Sequence, residues 1–420
     1  MGQRRYPRVL YPVENPDSDA KALLGKILFW DEQLSGNDST ACGSCHRGRA
    51  GGSDPRSATD AARFAGADAL LDPLPGATSD DGRGSIGVVA CDENGAAIGS
   101  QAQVTGRKAP SAFDAMFSGD LFWDGRASRH FIDPETKTQL ITGVLDKQSG
   151  RIVGGALESQ AVGPPLSVVE MACAAPSWER ITAKLAHVAP LALSPNVPSD
   201  LLAFVAARSY PQLFAEAFGP ELKNDDQPND VINARRIAFA IATYERRLTS
   251  DQTPWDAWND GDARALTPEQ VHGYELFMGK ANCQACHAPP LFFDLTFHYL
   301  GLNPIARDPG QGSLAAAGSG RDGMMKTPTL RNVGLREPGG LTHQGDGPGH
   351  NLNQLLTLYR DGGRRDVPEI VSQIDPLLVA IELDDTELAA LADFLRHGLT
   401  DPRVEHETPP FDRPQLRSEL

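Results

Sequence analysis

Cys42-Gly43-Ser44-Cys45-His46 and Cys283-Gln284-Ala285-Cys286-His287 each set two thiols three residues apart, with an imidazole directly after the second. This spacing suits covalent haem attachment: each thiol bonds one vinyl group and the adjacent His becomes the proximal iron ligand. A zinc site or a thioredoxin-like redox pair uses similarly spaced cysteines. Neither requires the His, and neither predicts that the whole pattern recurs. Two covalent c-type haems are therefore expected, with His46 and His287 on the irons.

Such attachment takes place outside the bacterial cytoplasm, so a periplasmic or otherwise exported protein is expected. An oxidising compartment would let the remaining cysteines, Cys91 and Cys173, form a disulfide. Met1-Gly2-Gln3-Arg4-Arg5 has no apolar core of a signal peptide, so the export signal is expected to be missing from this chain. No stretch approaches the roughly 18 uninterrupted apolar residues of a membrane span. A formal net charge of −16 argues against nucleic acid as a partner. It fits a basic partner such as a small cationic electron carrier, although plain solubility explains it more simply.

Two or three domains follow from 420 residues at 40% apolar content, and one haem per domain is the natural partition. Thr267-Pro268-Glu269-Gln270 announces a helix by its cap, with Val271, Tyr274 and Met278 on one face. Ile237, Ile241, Tyr244 and Leu248 form another helical stripe, with Arg235, Arg236, Arg246 and Arg247 largely around it. Asp384 and Glu387 open a third helix carrying Leu388, Leu391 and Leu395, closed by Gly398. Strand-like alternation is scarce, and 41 Gly with 32 Pro point to helices joined by long structured loops. The expected fold is mostly α, with two cytochrome c-like haem domains. Residues 1–225 would form the first, with a long excursion at 48–106, and residues 226–420 the second. The boundary is set at the polar, turn-rich Pro220 to Pro228. Gly-x-x-Leu-Phe precedes both haem motifs, at Gly25 and Gly273, and hints at duplicated domains.

Leu24-Gly25-Lys26, Leu34-Ser35-Gly36, Arg107-Lys108-Ala109-Pro110-Ser111, Phe122-Trp123-Asp124-Gly125-Arg126-Ala127, Gly163-Pro164-Pro165 with Glu170-Met171, and Thr327-Pro328-Thr329-Leu330-Arg331-Asn332 occur in that order. Together with the haem motifs, this series resembles the bacterial dihaem cytochrome c peroxidase and MauG family over nearly the whole chain. It is interrupted by the excursion and by an insertion around Phe131 to Gly155. The resemblance implies a peroxide-reacting haem on His46 and an electron-transfer or storage haem on His287. It implies Glu170 and Gln160 as distal groups at the first haem, and Trp123 as the aromatic residue between the haems. A carboxylate suits the distal role because peroxide must lose a proton from one oxygen and regain one on the other. The apolar neighbours of Glu170 should raise its proton affinity.

Three departures bear on the branch of the family. Ordinary members keep a His after the first motif that blocks the active haem, but residues 47–129 contain no His. The first haem is thus expected to be open in the oxidised protein unless His130 folds across it. The second haem's axial Met is matched by Tyr359, on a helix after the conserved His343, as in MauG. Met324 and Met325 are the competing ligands, and His343 lies close to the haem in the family. A hard phenolate favours oxidised iron, whereas a thioether raises the potential. Finally, Lys108 stands where the family's calcium-binding Asn would be, and an ammonium cannot ligate calcium. Calcium is expected to be absent or weakly held.

The expected function is a MauG-like dihaem oxidoreductase of hydrogen peroxide, whose electron donor is a small redox protein or a protein substrate. The alternatives are a detoxifying cytochrome c peroxidase and a non-catalytic dihaem electron carrier. The resemblance also allows a homodimer. His298, His350 and Trp178 receive no role beyond surface or packing.

Overall fold

The computed structural model describes residues 5–56, 84–92, 94–219, 231–302, 305, 308–316, 318–344, 349–363 and 373–420. The expected boundary at Pro220 to Pro228 lies outside them, as do residues 57–83 of the excursion. The helices are α1 (Asp19–Trp30), α2 (Cys42–Cys45), α3 (Ala156–Ala161), α4 (Trp178–Leu185), α5 (Ser199–Val205), α6 (Tyr210–Phe218), α7 (Ala234–Glu245), α8 (Pro254–Asn259), α9 (Pro268–Met278), α10 (Leu352–Arg360), α11 (Asp385–Asp393) and α12 (Pro402–Glu405). Among the described residues, four two-stranded antiparallel sheets accompany them: β1 (Ile86–Cys91) with β2 (Ala97–Val104), β3 (Phe131–Ile132) with β4 (Gln139–Ile141), β5 (Val144–Asp146) with β6 (Arg151–Val153), and β7 (Phe297–His298) with β8 (Met325–Lys326). The fold is mostly helical, as the sequence implies.

Helix starts follow their caps. The Thr267 hydroxyl accepts from the Gln270 amide and the Gln270 side chain returns to the Thr267 amide, so two otherwise orphaned donors are satisfied at the start of α9. Asp384 and Glu387 do the same for α11, which continues through a π turn to Gly398.

Each haem motif follows a helix seated on a partner helix at a glycine. A Cβ at Gly25 of α1 would lie 1.9 Å from the Ala240 carbonyl oxygen of α7, and one at Gly273 of α9 would lie 2.2 Å from that of Ala390 in α11. Only hydrogen in place of a side chain permits those approaches. Phe29 and Phe277 are buried at equivalent places four residues on, one in each core. The repeated Gly-x-x-Leu-Phe therefore marks the same helix pair in both halves.

The first core gathers Leu24, Ile27, Phe29, Phe214, Ile237 and Ile241; the second gathers Leu276, Phe277, Phe292, Leu391 and Phe394. A division at 225/226 assigns α7 to the second half, whereas its stripe through Leu248 completes the first core. The cores part between Leu248 and Trp255, and Val404, Phe411 and Leu416 return to the first. The packing boundary thus falls after α7, later in the chain than polar composition placed it. The arginines beside the stripe also divide unexpectedly. Arg236 and Arg246 are buried, and Arg246 forms a two-pronged ion pair with buried Glu158 at 2.6 and 2.9 Å.

The described end of the excursion is a hairpin, β1 and β2, rather than irregular chain. It is stapled by a disulfide between Cys91 and Cys173, with Cα atoms 5.1 Å apart. The Val88 amide donates to the Val169 carbonyl and the Cys91 amide to that of Cys173, so β1 holds down the segment carrying Glu170. Its alternation escapes sequence reading because the strands are short and their pairing slips register.

Candidate functional site

Around the first motif, α2 follows α1 across Trp30, whose ring a Cβ at Gly43 would strike at 2.2 Å. The His46 Nδ1–H donates to the Gly52 carbonyl at 3.0 Å. Burial keeps the imidazole neutral by lowering its pKa, which leaves Nε2 with a lone pair for a metal. Arg56 donates to Cys45 Sγ at 3.2 Å and to the Ile86 carbonyl at 2.9 Å, while held by buried Asp54 at 2.8 Å. Glu170 is half-buried and close enough that its charge acts on both Cys42 and Cys45. Burial raises its pKa, and the Arg126 charge opposes that shift. Gln160 is half-buried near the end of α3, and a turn at Pro164–Leu166 separates it from Glu170. His130 is engaged in the insertion, where its Nδ1 accepts from the Gly143 amide at 3.1 Å.

The second motif opens onto a cavity of about 410 Å³. Cys283, Cys286, His287, Tyr359, His343, Trp123 and Met325 line it, with apolar walls that include Phe277, Leu330 and Leu356. The His287 Nδ1–H donates to the Phe292 carbonyl at 3.0 Å, repeating the arrangement at His46. Burial lowers the His287 pKa to about 4. Tyr359 projects from α10, and burial, then the Cys283 and Cys286 thiols, push its pKa up. The Trp123 indole donates to the Lys108 carbonyl at 2.7 Å. The Lys108 amide donates to the His343 carbonyl at 2.8 Å, and its buried ammonium to that of Gly340 at 2.5 Å. Burial lowers the Lys108 pKa to about 7. The backbone thus links the haem motifs: a Cβ at Gly339 would touch both the Asp54 carbonyl beside the first site and the Lys108 ammonium beside the second.

The structure therefore gathers Cys42, Cys45, His46 and Glu170 at one site, and Cys283, Cys286, His287, Trp123, His343 and Tyr359 at another. Met325 shares the second cavity; Met324 holds the Gly310 turn through its carbonyl, which accepts from Gln311. His298 also lines that cavity, clamped between Asp294 at 2.7 Å and Asp375 at 2.5 Å. Asp294, then the Cys286 thiol, then Asp375 raise its pKa to about 11. Asp294, four positions before it, was the local signal for this residue, whereas Asp375, which closes the clamp, lies 77 positions away. Trp178 packs in the first core, and His350 accepts from the Leu341 amide through its carbonyl.

The family model for di-haem cytochrome c peroxidases matches residues 19–264. The chain belongs to the di-haem cytochrome c peroxidase family. Membership makes it a haem oxidoreductase of the peroxidase type carrying two haems. It is 27% identical to the methylamine utilization protein MauG of Methylorubrum extorquens over 93% of this chain and 82% of that one. It is 28% identical to the cytochrome c peroxidase Ccp of Escherichia coli over 89% of this chain, and spans 61% of that longer relative. Among solved structures, a MauG-like protein associated with microbial copper homeostasis superposes with a TM-score of 0.63 at 23% identity, covering 98% and 97% of the two chains. The diheme peroxidase BthA of Burkholderia thailandensis superposes at 0.59 with 20% identity, covering 96% and 91%. Both establish the shared fold.

The residues present fit the haem this family carries at the second motif. Arg336 lines the cavity, and its buried Nε has no hydrogen-bond partner, so an anionic group such as a haem propionate would satisfy it. The free Nε2 of His287 and the apolar walls suit iron and porphyrin respectively. Among the described residues, no helix is long and apolar enough to cross a membrane.

Proposed function

We propose that this chain reacts with hydrogen peroxide at a haem attached through Cys42 and Cys45 and ligated by His46. A second haem, attached through Cys283 and Cys286 and ligated by His287 and Tyr359, stores or relays the oxidising equivalents, as in MauG. The observation that carries this reading is the placement of Tyr359 in the His287 cavity, near enough to feel both motif cysteines. Bound haem iron would supply peroxide coordination and the electrons that cleave the O–O bond. Glu170 takes the proton from the near oxygen and returns it to the far oxygen, which leaves as water. Its raised proton affinity suits a group that must both accept and donate. Gln160 acts beside it, and Trp123 carries charge between the haems. Two covalent haems and the disulfide favour an oxidising, extracytoplasmic compartment. Lys108 stands where the family binds calcium, and its buried amine supplies a full cation there only below about pH 7.

The test is stoichiometric peroxide added to the fully ferric protein without prior reduction, followed optically and by electron paramagnetic resonance. Rapid loss of both ferric signals is expected, and loss slowed strongly by Glu170→Gln. No change until one haem is reduced would overturn the reading. A second reading, a cytochrome c peroxidase fed by a small redox protein, is favoured by Met325 in the same cavity. Fast peroxide-dependent oxidation of ferrocytochrome c would select it.

A further inference from the structure

A run of ion pairs joining Asp308, Arg107, Asp124 and Arg126 stands beside Trp123. Arg107 holds Asp124 through Nη1 at 2.5 Å, and holds Asp308 through Nη2 at 2.6 Å and Nε at 2.9 Å. Asp124 in turn binds Arg126 at 3.1 and 3.2 Å, and Arg126 is the cation that acts on Glu170. At the other end, Asp308 stands 3.8 Å from the His343 Nε2, and both line the second cavity. The His343 ring lies 5.9 Å from that of Trp123. Arg107, Asp124 and Asp308 are mostly withdrawn from solvent, with side-chain exposures of 18%, 6% and 14%. Among these three, charges are weakly screened and each acts on the next; Arg126, with 43% side-chain exposure, is the more screened end of the chain.

The chemistry of Arg107 is specific. A guanidinium presents several donors in a rigid plane and can grip two carboxylates at once; an ammonium keeps the charge without the fork. Without this fork, Asp124 and Asp308 would have no common partner. We propose that Arg107 is a positioning residue that couples the two sites electrostatically: by joining Asp308, beside His343, to Asp124, beside Arg126, it makes the charge state at the second cavity felt at Glu170. This rests on the proposal that Glu170 handles the protons of peroxide at the first site. Trp123 would carry the electron, and the ion pairs alongside would let the distal carboxylate respond when it moves.

Contiguity is not coupling, so the test is a double-mutant cycle on the full haem-loaded chain. Asp308→Asn, Arg107→Gln and the pair are compared by the rate constant for peroxide at neutral pH and by the resonance spectrum of the resting ferric first haem. Asp308→Asn alone is expected to change the rate constant by about threefold or more, the scale of coupling within one network. It should also perturb the first-haem spectrum, although Asp308 lines only the second cavity. In the Arg107→Gln background, both effects should vanish. If Arg107→Gln fails to load haem, Arg107→Met serves, because its side chain carries neither the charge nor a donor for either carboxylate. Equal effects of Asp308→Asn in both backgrounds, or none in either, would overturn the proposal. A wild-type protein inert to peroxide would instead overturn the functional reading, while the ferric spectra would still report the coupling.

Discussion

The rings of Trp123 and His343 stand 5.9 Å apart at 59° on the wall of the His287 cavity. The same dipeptide segment holds both: the Lys108 carbonyl accepts from the indole and its amide donates to the His343 carbonyl. Trp123→Phe keeps an aromatic ring but leaves a buried carbonyl unsatisfied. A loss of about 1–2 kcal/mol in urea unfolding is expected. The same variant should slow the spread of oxidation to the second haem after peroxide addition, measured by stopped flow. Unchanged transfer would make Trp123 a packing residue only.

Tyr359 can serve iron only as a phenolate, and its burial opposes that charge. A ferric ion's own charge reverses the balance. Tyr359→Phe should therefore abolish a phenolate-to-iron band in the visible spectrum and raise the second haem's potential, whereas Met325→Leu should leave both unchanged. The opposite pattern would transfer the ligand role to Met325.

Local signals in the sequence carried the helices and the motifs well. Thr267 and Asp384 specify their helix starts through hydrogen bonds three residues long, and the stripe from Ile237 to Leu248 is indeed a buried face. What escaped was set by distance along the chain. Arg246 reads as a solvated charge until Glu158, 88 positions away, is folded against it. His298 has Asp294 four positions away, but its clamp closes only when Asp375 arrives, and the first core's reach past 225 depends on α7 meeting Gly25. The ladder through Arg107 joins four segments, the farthest partner 201 positions off, and no periodicity announces it.

The Cys91–Cys173 disulfide closes a loop spanning 82 positions. Chain entropy alone assigns such a link about 4–5 kcal/mol, an upper figure because the unfolded chain keeps some structure. Its local effect concerns chemistry: Glu170 lies three residues before Cys173, pinned by β1 through the Val88 to Val169 bond. Cys91→Ser with Cys173→Ser should retain both haems but lower the thermal midpoint and slow the peroxide reaction. An unaltered peroxide rate in a destabilised variant would show that Glu170 needs no such staple.

Glu245, at the end of α7, is 4% exposed and its Oε2 has no hydrogen-bond partner. The neighbouring Arg246 lowers its proton affinity, yet that guanidinium is committed to Glu158. Burial wins and raises the pKa from 4.5 to about 8. Between those values the folded protein holds a proton that the unfolded chain has released, so this group makes stability fall as pH rises through that window and level off above it. Glu245→Gln keeps the neutral shape and removes the linkage. The variant should match the wild type near pH 4 and exceed it near pH 9 by on the order of a few kcal/mol, read from urea midpoints. Comparing the two proteins cancels the titrating groups that Glu245 does not influence; Tyr244 and Cys42 feel its charge. Parallel stability curves would mean that Glu245 ionises in the folded state with little cost, its charge met by a partner the buried carboxylate recruits.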